Sequence, residues 1–274
     1  MKYGIAIRNM GPQSTRETLA GCARTAEQLG FDAVFVSDHL AVPPDEAEGS
    51  GGRYLEALAT LAFLAGVTQR IRLGVSVLVL PYRPAVLTAK LVATVQELSG
   101  GRMILATGVG YMRREFEALG VDPQNRGSLT TETLRVLRQL FSSDRSSYDG
   151  ELVRFAPFIF LPRPPLPPIW IGGNGASAIE RVLEFGDGWH PMLPTEELGP
   201  ASAALREQAR ARGRVEPEIV VRRGLKLDDT AAARARLEAD VAAGATYFIL
   251  DPGRYADERD FGQRAETFIT HVAH

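Results

Sequence analysis

Ile71-Arg72-Leu73-Gly74-Val75-Ser76-Val77-Leu78-Val79-Leu80 is aliphatic and β-branched, carries no charge after Arg72, and reads as a strand covered on both faces. Pro81 ends it. Pro84 then opens a helical pattern over residues 85–98, with apolar positions at Val86, Leu87, Leu91, Val95 and Leu98, and Ser99-Gly100-Gly101 stops that helix. Arg102-Met103-Ile104-Leu105-Ala106-Thr107 makes a second short apolar strand closing on Gly108-Val109-Gly110. Together these residues form one strand–helix–strand unit of the kind that joins parallel strands. Both strands leave the sheet at small polar or glycine positions, where parallel α/β proteins collect ligands, so the chemistry is expected above Ser76 and Gly108.

The same alternation repeats outward from this unit. Residues 3–8 read as a first strand, and Ser14 or Thr15 caps a helix that runs to Leu29. Residues 31–37 form a second strand that delivers Asp38 and His39 to its carboxyl end. A Gly- and Glu-rich loop over 43–52 has no apolar period and the composition of a lid, and residues 54–67 read as a helix. Helices follow at 113–119 and 128–141. Residues 142–168 break the rhythm: Asp149-Gly150 predicts a hairpin and the proline-rich 162–168 an extended connector, together an insertion after the fourth strand. Strands at 169–171, 188–190, 219–223 and 246–250 then alternate with helices at 176–185, 196–212, 231–243 and 257–272. Eight strands, each with a helical partner, predict a (β/α)8 TIM barrel forming a single domain over residues 1–274 rather than an open doubly wound sheet.

Bulk composition excludes more than it assigns. A formal net charge of −2, with Lys and Arg spread along the chain, offers no basic stripe for a phosphate backbone, so nucleic acid is not an expected partner. The sole cysteine, Cys22, lies in an amphipathic helix and reads as a buried, inert thiol that cannot form a disulfide within one chain. No His, Asp and Glu cluster has metal-ligand spacing, so no metal is expected. The absence of a signal-peptide pattern and of a membrane-length apolar run predicts a cytoplasmic protein with no membrane association.

Several blocks taken in order carry a resemblance: Ser37-Asp38-His39, Gly74-Val75-Ser76-Val77, Leu98-Ser99-Gly100-Gly101-Arg102, Gly108-Val109-Gly110-Tyr111 with Glu115-Phe116 and Gly120, and Gly172-Gly173-Asn174-Gly175 with Gly186-Asp187-Gly188-Trp189. Across nearly the whole chain these resemble the luciferase-like monooxygenase superfamily, and within it the branch of oxidoreductases that use the deazaflavin coenzyme F420. The resemblance implies a TIM barrel, a small-molecule substrate and a homodimer. It also implies that Asp38 binds the cofactor, that His39 is the catalytic group beside its redox ring, and that a cis peptide joins Ser76 to Val77 as a bulge behind the ring. Val109 and Gly110 would line the ring, and Asn174, Gly175 and Ser177 would meet the phosphate end. One departure stands out. Sugar-phosphate dehydrogenases of this branch carry a catalytic glutamate where this chain has Tyr111, so their substrate does not transfer.

The residues themselves allow a bland reading beside each functional one. His39, as an imidazole, suits proton transfer, with Asp38 orienting it or binding a cofactor hydroxyl; equally, Asp38 could cap the next segment and His39 simply pack. Gly172 to Gly175, opening a helix at Ala176, combines free N–H groups with a positive helix end and so favours a phosphate, though a tight turn without ligand has the same sequence. Tyr111 and His190 are the candidate substrate contacts. Three functions remain open on this basis: hydride transfer with F420, an FMN-dependent monooxygenase served by a partner reductase, and a noncatalytic barrel that only binds a cofactor.

Overall fold

The computed structural model describes residues 1–273. In chain order the first half comprises β1 (Lys2–Ala6), α1 (Arg16–Gln28), β2 (Ala33–Val36), α2 (Ala57–Val67), β3 (Arg72–Val79), α3 (Ala85–Leu98), β4 (Met103–Gly108), α4 (Arg113–Ala118) and α5 (Arg126–Ser142). The second half comprises β5 (Arg145–Asp149), β6 (Arg154–Ile159), β7 (Ile169–Gly172), α6 (Ala176–Phe185), β8 (Gly188–His190), α7 (Thr195–Ala211), β9 (Glu218–Gly224), α8 (Thr230–Ala242), β10 (Tyr247–Asp251) and α9 (Glu258–His271). All strands but β5 and β6 close into one parallel barrel in the order β1-β10-β9-β8-β7-β4-β3-β2, the TIM barrel expected from the alternation.

Two apolar layers build it. Inside the barrel Phe35, Ile104, Ala106, Trp170, Val220, Tyr247 and Ile249 pack as a plug, with Phe35 and Tyr247 at 5.7 and 4.8 Å from the Trp170 ring. A Cβ on Gly4 or Gly74 would run into the Phe35 ring, so glycine at both neighbours is what lets an aromatic ring fill the floor. The second layer lies between strands and helices. There Cys22 on α1 is 0% exposed, and burial pushes its thiol up to about 12.

One local reading needs correction. Residues 54–56 are extended rather than helical: Tyr54 bridges Met10, Leu55 N–H donates to Asn9 O, and the Glu56 carboxylate caps α2 by accepting from Ala59 N–H. The expected hairpin forms as the separate antiparallel pair β5–β6, with Asp149 opposite Arg154 and the loop over 150–153 between them. The Glu132 carboxylate fills the loop, accepting N–H groups from Glu151, Leu152 and Val153. No helix among the described residues is long and apolar enough to cross a membrane.

Candidate active site

The carboxyl ends of the barrel strands gather the polar groups on one rim. β3 carries the cis Ser76–Val77 peptide, and the β3–β4 register shifts between Val75 and Leu78, so the strand bulges there. Glycines on β4 and β7 make room for it, because a Cβ on Gly108 or Gly172 would meet the Val77 methyls at 2.6 and 3.2 Å. Across the barrel, Arg222 of β9 donates to Ser76 O at 3.2 Å and pairs with Asp251 of β10 at 2.7 Å.

His190 sits against this bulge, between Ser76 and Val220. Its Nδ1 lies 3.1 Å from Val220 O and its Nε2 2.9 Å from Ser76 Oγ. A carbonyl only accepts, so Nδ1 bears the proton and Nε2 accepts from the serine hydroxyl. Burial, reinforced by the nearby Arg222 charge, lowers its pKa to about 4 and keeps the ring neutral. The expected substrate contact is therefore corrected: His190 supports Ser76 from inside, at 5% exposure.

His39, at the end of β2, is 15% exposed and faces the rim. Its Nδ1 donates to Glu115 Oε2 at 2.9 Å. Glu115, 0% exposed on α4, also accepts from Tyr82 Oη at 2.7 Å, Leu40 N–H at 2.5 Å and Ala41 N–H at 3.0 Å. Burial alone would raise its pKa, but the bonds from His39, the two backbone groups and Tyr82 outweigh it and hold the carboxyl at about 2. An ionised Glu115 has no proton to offer, so His39 must donate from Nδ1, leaving Nε2 for other partners. The rings of Tyr54 and Tyr111 stand edge-on to the imidazole at 5.0 and 6.1 Å. Tyr111 is 73% exposed, and burial of its inner part with Glu46 and Glu115 nearby pushes its phenol up, so it stays a neutral donor.

Asp38 does a different job from the one expected. Its side chain is 0% exposed. Oδ2 accepts from Val79 N–H and Arg83 Nη1, each at 2.9 Å, and Oδ1 from Arg83 Nη2 at 2.6 Å. Arg83 in turn reaches Glu56 at 2.5 Å. The carboxylate thus ties β2 to the end of β3 and to α2, buried with both oxygens already held, which makes it part of the frame rather than the exposed cofactor contact expected.

Val109 and Gly110 follow β4 on the same rim, both half-buried. Gly110 has φ +74°, and a Cβ there would meet Val79 at 2.7 Å and Phe116 at 2.8 Å, so the backbone packs against the top of β3. After β7, Asn174 clamps the neighbouring loop, accepting from Met192 N–H at 2.8 Å and donating to Met192 O at 3.2 Å. Asn174, Gly175 and Ser177 are exposed, α6 has no side-chain cap at Gly175, and a Cβ on Gly175 would meet nothing within 4 Å. Uncapped N–H groups with open space before them suit a phosphate. Asn174 acts here by shaping the loop.

Reading the sequence missed Glu115, Tyr82, Arg83 and Arg222 as site builders. Glu115 belongs to the quoted Glu115-Phe116 block, but its six-residue helix is too short for a burial pattern to reveal an inward acid.

A closed parallel barrel with its polar groups collected at the carboxyl rim is a TIM barrel with its candidate site where such barrels carry their chemistry. Residues 1–270 match the family model of the luciferase-like monooxygenases, and the chain belongs to that family. It is 31% identical, over 97% of its own length and 81% of the relative's, to a protein of Nakamurella multipartita named F420-dependent glucose-6-phosphate dehydrogenase. Among solved structures it superposes on the monooxygenase RslO1 from Streptomyces bottropensis with TM-score 0.83 and 19% identity, covering 100% of this chain and 99% of that one. An F420-dependent secondary alcohol dehydrogenase, solved with an F420-acetone adduct, gives TM-score 0.82 and 18% identity over 99% and 98%. At such identities the structural likeness establishes the barrel.

Proposed function

We propose that this protein passes a hydride between coenzyme F420 and a small organic substrate, with His39 moving the accompanying proton. The observation that carries this reading is the His39–Glu115 pair: a buried, ionised carboxylate fixes one imidazole nitrogen and leaves Nε2 at the rim. The 31% identity to a relative named as F420-dependent supports the choice of cofactor.

The residues present fit such a group. The uncapped α6 terminus at Gly175, open to 4 Å, would hold its phosphate, and the Val77 bulge, with Val109 and Gly110 beside it, would back its ring. When bound, F420 supplies a carbon that carries hydride. Ser76, held by His190 and Arg222, keeps the bulge in place, while Tyr54 and Tyr111 wall His39 from bulk water. His39 Nε2 gives or takes the proton, and Glu115 keeps the ring in one tautomer. A homodimer belongs to the same reading. The 470 Å³ groove outside the barrel, lined in part by Leu19, Leu55, Ala59 and Phe63, offers an apolar face to a second copy, which light scattering would detect.

F420 should quench on titration into the purified protein, and H39A should lower turnover by about 10²–10⁴ while leaving F420 affinity nearly unchanged. Equal turnover in the variant would remove His39 from the mechanism. The family match to monooxygenases favours a second reading, an FMN enzyme that activates oxygen. Tight FMN binding with oxygen consumption, and no response to F420, would establish it.

A further inference from the structure

Around the barrel mouth most guanidinium groups have a carboxylate partner: Arg222 with Asp251, Arg83 with Asp38, Arg223 with Asp240. Arg8, just past β1, and Arg254, just past β10, form no ion pair with any described residue, and both approach Gly49. Arg8 Nη2 donates to Gly49 O at 2.9 Å in the 43–52 loop, and a Cβ on Gly49 would lie 2.5 Å from Arg254 Nη2. Gly49 holds φ +83°, and Gly11, whose Cβ would come within 3.5 Å of Arg8 Nη2, holds φ +74°. Arg8 Nε is buried with no partner. Asp251 is the acid that faces Arg8, but Arg222 holds its Oδ2 and Gly253 N–H its Oδ1.

Two cations beside one glycine repel each other, and a buried guanidinium N–H without an acceptor is unfavourable; an anion between them removes both defects. We propose that Arg8 and Arg254, with the backbone at Gly49, bind an anionic group of the substrate, a carboxylate or a phosphate, and that this contact ties the 43–52 loop over the mouth. Position within the barrel separates this site from the Gly175 cradle. In the closed order β1-β10-β9-β8-β7, β1 stands diametrically opposite β7, so a cofactor whose phosphate end lies at Gly175 leaves the Arg8 side for the other reactant. The word substrate rests on the oxidoreductase reading; the anion site does not.

The probe is inorganic phosphate, titrated calorimetrically into wild-type protein, R254Q and R8Q, with and without saturating F420, alongside F420 quenching for each. Arg254 is exposed and makes no described hydrogen bond, so R254Q should fold even if R8Q does not. The expected result is phosphate binding that persists in the presence of F420, is weakened about tenfold by either substitution, and leaves F420 affinity unchanged. Phosphate binding indifferent to both substitutions would overturn the site. F420 affinity that falls in both variants, with F420 expelling phosphate, would overturn the assignment to substrate and give the site to the cofactor's own acidic tail. Failure of wild-type protein to quench F420 would defeat the cofactor reading alone, since the phosphate titration without F420 still decides the anion site.

Discussion

Glu115 decides how His39 meets its surroundings, because an ionised carboxylate can only accept and therefore dictates which imidazole nitrogen faces the rim. E115Q keeps the shape but can present either an amide N–H or an oxygen to Nδ1, so the tautomer is no longer fixed. Turnover should fall about tenfold or more with F420 affinity held, and the pH–rate profile should move, whereas E115D should recover part of the loss. An unmoved pH profile would reduce Glu115 to packing. His190 makes a separate prediction about stability. Its folded pKa, about 4, lies below the ordinary 6.5, so the unfolded chain takes up a proton that the folded one refuses. Stability should therefore decline as pH falls from about 6.5 to about 4, by on the order of 3 kcal/mol. Glu115, held at about 2 against an ordinary 4.5, contributes stability above 4.5 that is lost as pH drops toward 2. Urea midpoints measured from pH 7 to pH 4.5 should show the first decline in wild type and a flatter curve in H190Q.

At the scale of elements, the turn from β7 into α6 is a helix end without its own cap. Since a side chain on Gly175 meets nothing within 4 Å and its φ is an ordinary −81°, G175E should fold normally yet place an anion where a phosphate is expected. F420 affinity should drop at least about tenfold with an unchanged melting temperature; retained affinity would remove the cradle. Which elements could be read beforehand follows from how each is stabilised. Strands buried on both faces appear as aliphatic runs closed by proline or glycine, so β3, β4 and β7 and the rim above them were legible from local sequence. The cis Ser76–Val77 bond was not legible that way, for local propensity favours a plain strand there and only family likeness pointed to it. Asp38 was misassigned because its partner, Arg83, is 45 positions away and nothing local marks the pair. The β5–β6 hairpin was legible, but its anchor was not, because Glu132 lies on a preceding helix, 19 positions or more from the N–H groups it accepts.

At the scale of the whole molecule, closure of β1 onto β10 joins the first strand to the last, with Tyr3 opposite Phe248 and Ile5 opposite Leu250. Long-range contacts also cross the mouth, as when Arg222 reaches the β3 bulge. The proposed site thus draws on both halves of the chain, and no contiguous piece of it contains His39, Gly175 and Arg222 together short of most of the barrel.

Cys22 gives that closure a built-in reporter. A lone thiol at 0% exposure, held protonated by burial, is out of reach of thiol-specific dyes while the barrel is shut. Labelling should therefore proceed at the rate of opening in strong reagent, and saturating ligand at the mouth should slow it in proportion to binding, with no engineered label needed. Rapid modification of the native protein would mean that α1 lifts away from the strands by itself.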